Sequence, residues 1–396
     1  MASKKINPGQ SSLLRGFLAS EAAAGGVLTL CAALALLIAN SGFGETYQHA
    51  LHIELAGLSL LHWIDDGLMA LFFLLVGLEI KRELFAGHLK TWPARLLPGV
   101  AAAGGMLAPA LVYVAFNAHA PETLRGWAVP TATDIAFSLA VLALLGRRAP
   151  TSLKVFLTAL AIIDDLGAII IIALIYTAQL SPLYAGLAAG LLLALTALNR
   201  AGVKSLAPYL LLGAALWFCM LKSGVHATIA GVALALTIPV GKPQGVDDAQ
   251  ASPLHSLEHA LQPWVAYGVL PLFGFANAGV VLGGGAGWFA DNVLLGVAAG
   301  LFLGKQAGVF GAVWLARRLR LVSLPAGVGW AQIYGVALLC GIGFTMSIFI
   351  GFLAFGQSAA LETSSKAGVL LGSLASALAG ALVLMLAKSA AAPGRQ

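Results

Sequence analysis

Ala161-Ile162-Ile163-Asp164-Asp165-Leu166-Gly167 sets two adjacent carboxylates near the middle of an apolar run that extends from Val155 to Ala178. A helix rising about 1.5 Å per residue crosses a bilayer in such a run. One acid at mid-membrane costs roughly 2.5–3.5 kcal/mol even on the lenient insertion scale. Two side by side cost more, unless they face water, share a proton or hold a cation. Nothing in a helical span requires them, so the stretch reads as an ion or proton site.

The rest of the chain agrees with a membrane setting. Its 396 residues are 60% hydrophobic and 10% charged, against about 25% charged in ordinary globular domains. With a mean hydropathy of +0.92, this excludes a soluble protein and points to an all-α polytopic membrane protein. Repeated spans make residues 1–396 one transmembrane domain rather than two or three soluble ones. Cys31, Cys219 and Cys340 lie in apolar segments without metal-ligand spacing, and read as small core residues. The basic N-terminus lacks a small-residue cleavage site, so the first apolar helix is expected to be retained.

Hydropathy and helix breakers divide the chain into about twelve segments, near 14–40, 59–84, 95–116, 123–144, 152–178, 182–199, 206–220, 224–240, 258–283, 290–316, 327–352 and 364–388. An even number puts both termini on one side. Of the 22 Lys and Arg residues, all but Arg125, Lys222, Lys366 and the mid-span Lys305 fall on the face that carries the termini. That bias assigns both termini to the cytoplasm. It also explains the net charge of +6 without a nucleic-acid partner. After segment one, His52-Ile53-Glu54-Leu55-Ala56-Gly57-Leu58-Ser59 can form a small β-hairpin, or an irregular loop. The stretch Gly241 to Pro253 reads as a flexible joint.

Segments four and eleven are interrupted. Pro130 breaks the fourth, ahead of Thr131-Ala132-Thr133-Asp134, where Thr131 or Thr133 can cap a new half-helix and Asp134 lies near its positive end. Cys340-Gly341-Ile342-Gly343-Phe344-Thr345-Met346-Ser347 places two glycines and two hydroxyls inside the eleventh. One such interruption is an ordinary kink. Two, each inside a three-segment unit (about 95–178 and 290–388), follow the pattern of inverted-repeat transporters with unwound backbone at mid-membrane. In the tenth segment, Gly296, Gly300, Gly304 and Gly308 recur every four residues and allow close helix approach, with Lys305 beside that face.

Asp134, Asp164, Asp165 and Lys305 are thus four ionisable residues within spans. Neighbours on a helix point about 100° apart, so Asp164 and Asp165 have different surroundings. One can face a water-filled cavity and bind a cation; the other can face a helix carrying Lys305. Burial and like charge favour the protonated acid, and a small hard cation competes with protons for the same oxygens. Thr133 and unwound carbonyls can add neutral ligands. Such competition with alternating access suffices for exchange. Asp65 and Asp66 open segment two outside; Glu79, Arg82 and Glu83 close it inside, and read first as interfacial anchors. His255-Ser256-Leu257-Glu258-His259 matches a zinc-hydrolase pattern, but the acids downstream, Asp291 and Glu362, fall on the opposite face. A sodium-coupled solute symporter and an intramembrane aspartyl protease are the competing readings; the protease explains neither Lys305 nor the adjacent acids.

Trp63-Ile64-Asp65-Asp66-Gly67-Leu68-Met69, Phe72 to Leu84, Thr131 to Phe137, Ile162 to Gly167, Gly224 to Thr228, Leu257-Glu258-His259, Phe275 to Val280 and Gly341 to Phe349 resemble, in order, motifs of the NhaA family of bacterial Na⁺/H⁺ antiporters. The resemblance covers nearly the whole chain. It implies a transporter of the inner membrane without cofactor or enzymatic activity, exchanging about two protons for one Na⁺ or Li⁺ and activated at alkaline pH. By the same resemblance, Asp164 and Asp165 are the ion and proton carboxylates (the Na⁺ site), with Asp165 the direct ligand and Asp164 the partner of Lys305. Asp134 and Thr133 sit at the helix crossing. Glu79, Arg82, Glu83, Glu258 and His259 form a pH-responsive cluster, and a hairpin near 45–58 makes a homodimer contact. His255, Ser256 and Gln262 depart from the family pattern at titratable positions, which leaves the activating pH open.

Overall fold

Backbone N–H and C=O groups in hydrocarbon must be satisfied within their own segment, so apolar spans fold as helices. The computed structural model describes residues 21–177, 180–241, 252–281 and 290–387. The segment-one residues before Glu21, the joint at 242–251 and the basic residues Lys4, Lys5, Arg15, Lys242, Lys388 and Arg395 lie outside that range. Among the described residues, seven helices are long and apolar enough to cross a membrane: Ala22–Ala39, Trp92–Asn117, Thr151–Ile175, Pro182–Arg200, Leu206–Ser223, Asn292–Arg318 and Ala359–Leu386. Two further spans are broken, Pro121–Thr131 with Ile135–Leu144 and Trp330–Leu339 with Phe344–Phe355, each bent by 42°. These are segments four and eleven. The protein is a multi-pass, all-α membrane protein.

The other three segments are irregular. Segment two runs through Leu60–His62, a π-helical turn at Trp63–Leu68 and the helix Met69–Phe85. Segment nine joins Pro253–Trp264 to Leu270–Asn277 through a second π turn, Val265–Val269. Segment eight differs from its reading as 224–240: its helix is Ile229–Thr237 alone. Nine residues rise about 13 Å, well short of a bilayer. Gly224, at φ 85°, caps the preceding helix in the left-handed region, and Ile238 is extended, so the apolar run is helical only in its middle.

The hairpin forms. Glu54–Leu55 pairs antiparallel with Leu58–Ser59, around Ala56 and Gly57 at φ 53° and 82°, the two positive values a tight type I′ hairpin needs. Trp63 Nε1 donates to Leu55 O at 2.9 Å, fixing the hairpin to segment two. The short helix Gly44–Leu51 precedes it.

The glycine row of segment ten packs on segment three. A Cβ at Gly308 would lie 2.1 Å from Gly104 O, and one at Gly104 would lie 2.3 Å from Gly308 O. A Cβ at Gly304 would lie 2.5 Å from Pro109 Cα, and one at Gly300 would lie 2.7 Å from the Pro130 ring. Backbone therefore meets backbone along this seam. The third π turn, Gly300–Gly304, ends at Lys305.

Candidate functional site

The two broken segments meet at their breaks. Pro130 lies in the 3₁₀ turn Arg125–Thr131, after which Ala132 is extended. The residue that caps the following half-helix is Asp134, not Thr131 or Thr133. Its Oδ1 accepts from Phe137 N at 2.9 Å, while Thr131 Oγ1 donates to Ala128 O at 2.7 Å and Thr133 Oγ1 to Cys340 O at 2.9 Å. Asp134 Oδ2 accepts from Thr345 N and Oγ1 at 3.0 and 2.6 Å. One carboxylate thus serves the N-terminal ends of both half-helices, where partial positive charge collects. Asp134 N donates to Ile342 O at 2.7 Å, and Ser138 Oγ to Leu339 O at 3.0 Å. Ser373 Oγ accepts from Gly343 N and Phe344 N at 3.1 and 3.2 Å. Ser138 and Ser373 were absent from the sequence reading; hydroxyls buried in apolar spans were the available signal.

Asp164 and Asp165 lie in Thr151–Ile175 and are buried. Lys305, also fully buried, places Nζ 2.6 Å from Asp164 Oδ2. The helix-end carbonyls of Leu339 and Cys340 are met by the Ser138 and Thr133 hydroxyls. Asp165 lies within electrostatic reach of Asp164, Asp134, Glu79 and Lys305. The Oδ1 atoms of both Asp164 and Asp165 are buried without a hydrogen-bond partner. Such atoms normally have one. Oxygens that protein groups leave unmet suit a proton or a small hard cation. The structure therefore brings Asp164 and Lys305 into contact, with Asp165 beside them. It gives Thr133 to the backbone of the other broken segment.

At the opposite end of segment two, Arg82 Nε is 2.9 and 3.1 Å from the two oxygens of Glu258, and its guanidinium is 2.6 Å from Glu83 Oε1. Glu83 Oε2 accepts from His88 N at 2.7 Å. His255 Nδ1 lies 3.8 Å from Glu258 Oε2. Glu79 acts electrostatically on this group. His259 is exposed and lines a cleft of about 820 Å³ with Arg82, His255, Glu258 and Gln262. All five residues of the expected cluster thus gather here, and Glu258, though near His255, is engaged by Arg82.

Lys81, read from sequence only as a topological charge, is buried. Its ammonium donates to Leu236 O and Ile238 O at 2.7 and 2.5 Å, closing the C-terminal end of the short eighth helix. Lys81→Met leaves those carbonyls unpaired. It is expected to lower stability by roughly 1–3 kcal/mol, seen as a lower Tm of the purified protein.

A family model described as Na⁺/H⁺ antiporter 1 matches residues 15–384. The Na⁺/H⁺ antiporter NhaA of Nitrobacter hamburgensis is 60% identical over 379 residues, 96% of this chain and 92% of that protein. That of Caulobacter vibrioides is 61% identical over 378 residues, 95% of this chain and 91% of its own. That of Brucella ovis is 56% identical over 385 residues, 97% of each.

Proposed function

Because the chain belongs to the Na⁺/H⁺ antiporter 1 family, we propose that it exchanges Na⁺ for protons across a bacterial inner membrane, with both termini cytoplasmic. The observation that supports this most is the buried Lys305–Asp164 pair beside Asp165, with an unmet oxygen on each acid. Asp165 is the cation ligand with no ion-pair partner to displace. Asp164 divides its two oxygens, one on Lys305 and one free. When Asp164 turns toward a cation, Lys305 loses its counter-charge. Binding of one cation then releases a proton from Asp165 and a second from the Asp164–Lys305 pair. A ratio of two protons per cation moves net charge, so exchange is electrogenic. Li⁺, another small hard cation, fits the same oxygens.

Units 95–178 and 290–388 act as inverted repeats crossing at Asp134, a reading supported by their equal 42° bends. The hairpin supplies a homodimer contact. The chain is a transporter rather than an enzyme. An aspartyl protease would need two free facing acids, but Asp134 is used in capping and Asp164 in pairing. Solute symport has no observation in its favour.

In everted vesicles with an imposed proton gradient, Na⁺ alone should collapse the gradient. No response at any pH, without added solute, would reject antiport. The cytoplasmic cluster, in which Arg82 pairs with both Glu258 and Glu83, sets when exchange turns on. Arg82→Gln is expected to shift the activation profile upward by about one pH unit. An unchanged profile in the same vesicles would remove Arg82 from that role.

A further inference from the structure

Asp65 was expected to be an interfacial charge at the outer end of segment two. It is instead fully buried, at 0% exposure, within the π turn Trp63–Leu68. Such turns are rare and frequent at functional sites; in this chain another one leads directly into Lys305. Asn277 Nδ2 donates to Asp65 Oδ1 at 2.7 Å. The remaining oxygens of both side chains, Asp65 Oδ2 and Asn277 Oδ1, are buried without partners. The charges acting on Asp65 come from Lys366 and Glu362 of the last helix and from Asp66. None of them is paired with it. Lys366 is paired with Glu362 at 2.6 Å, and Asp66 faces His62 at 3.0 Å.

Asn277 is held from the outside as well. Tyr47, on the short helix before the hairpin, donates its hydroxyl to Phe275 O at 2.5 Å and lies 3.2 Å from Ala276 O. Burial pushes this phenol up to about 12, so it remains a donor across the working pH range. The amide of Asn277 is thereby presented to Asp65 by a fixed piece of backbone.

Two unmet oxygens on an acid and an amide that already share one hydrogen bond lack a single component. A metal cation is the poorer occupant: one carboxylate, with one oxygen already engaged by a neutral amide, faces it here, against two carboxylates at the Asp164–Asp165 site. A proton needs only the two unmet oxygens. We propose that Asp65 carries a proton and closes a two-hydrogen-bond ring with Asn277, N–H to Oδ1 and O–H to the amide oxygen. This is a third buried proton site, one that joins segments two and nine and takes no part in exchange. A neutral acid satisfies both orphaned oxygens and removes the cost of an unpaired buried carboxylate.

The full-length protein tests this with Asp65→Asn and Asp65→Leu. An asparagine can donate to Asn277 as the acid does, so its Tm should match or exceed the parent's. Leucine strands the amide and should lower Tm by roughly 2–4 °C or more. Infrared spectra of parent minus Asp65→Asn, taken at or below neutral pH, should show a protonated-carboxyl C=O band. In proteoliposomes the ratio of H⁺ to Na⁺ exchanged should be the same for both proteins. A carboxylate signature in the difference spectrum, an Asn variant as unstable as the Leu variant, or an altered exchange ratio would each overturn the proposal. The melting and infrared arms do not depend on antiport, so they separate failure of this site from failure of the transport reading.

Discussion

Asp165→Asn is expected to abolish the Na⁺-driven collapse of a proton gradient while leaving the protein folded. The amide has nearly the shape of the carboxyl, but it has no charge to hold a cation and no proton to surrender. A charged contact worth about 3 kcal/mol, once lost, weakens binding about a hundredfold. The variant should be about as stable as its parent, because Asp165 makes no ion pair and its Oδ1 is buried without a partner, so no protein contact is lost. The measurement is Na⁺-dependent gradient collapse in everted vesicles, at matched protein level, with Tm of the purified protein beside it. A full response to Na⁺ would remove Asp165 from the ion site.

Lys305→Met is expected to produce the largest stability loss of any substitution considered. It keeps most of the side-chain volume but leaves Asp164 fully buried with no counter-charge. Breaking a buried ion pair from one side costs roughly 3–5 kcal/mol. Replacing both partners costs far less, since no charge is stranded, so Lys305→Met/Asp164→Asn should recover most of the lost Tm. Transport should not recover with it. A single variant as stable as the parent, or a double variant no better than the single, would contradict the pairing seen at 2.6 Å.

The broken spans and the intramembrane charges were legible in the sequence because both are local costs. Pro130 removes a backbone donor, Gly341 and Gly343 weaken a helix, and a charge in an apolar run is conspicuous wherever it points. Partners were less legible, because they come from far along the chain. Lys305 and Asp164 are 141 residues apart, and with one cation among the mid-span residues the pairing could still be guessed. Asp65 and Asn277 are 212 apart. Asp65 resembled any acid at a helix end, and the π turn that aims it inward has no signature in the residues. The cap at Asp134 was misassigned to its threonine neighbours for a similar reason. Any of three residues could cap locally, and the choice was made by Thr345 and Cys340, which approach from the other broken segment. The length of segment eight was overestimated because hydropathy does not distinguish a helix from an apolar extended stretch whose neighbours satisfy it.

The contact between Gly104 and Gly308 bears on how such a molecule moves. Side chains separate most helix pairs, and that layer can change rotamer and let one helix slide past the other. Here backbone rests on backbone, with room for no Cβ on either side. A sliding step would drive a carbonyl into the neighbouring chain, so segments three and ten travel as one rigid bar. Lys305 is carried on that bar. A relative displacement of lysine and carboxylate during turnover must then come from segment five or from the side chains themselves. Cross-linking segments three and ten should therefore cost little turnover, whereas cross-linking segment five to either of them should arrest it.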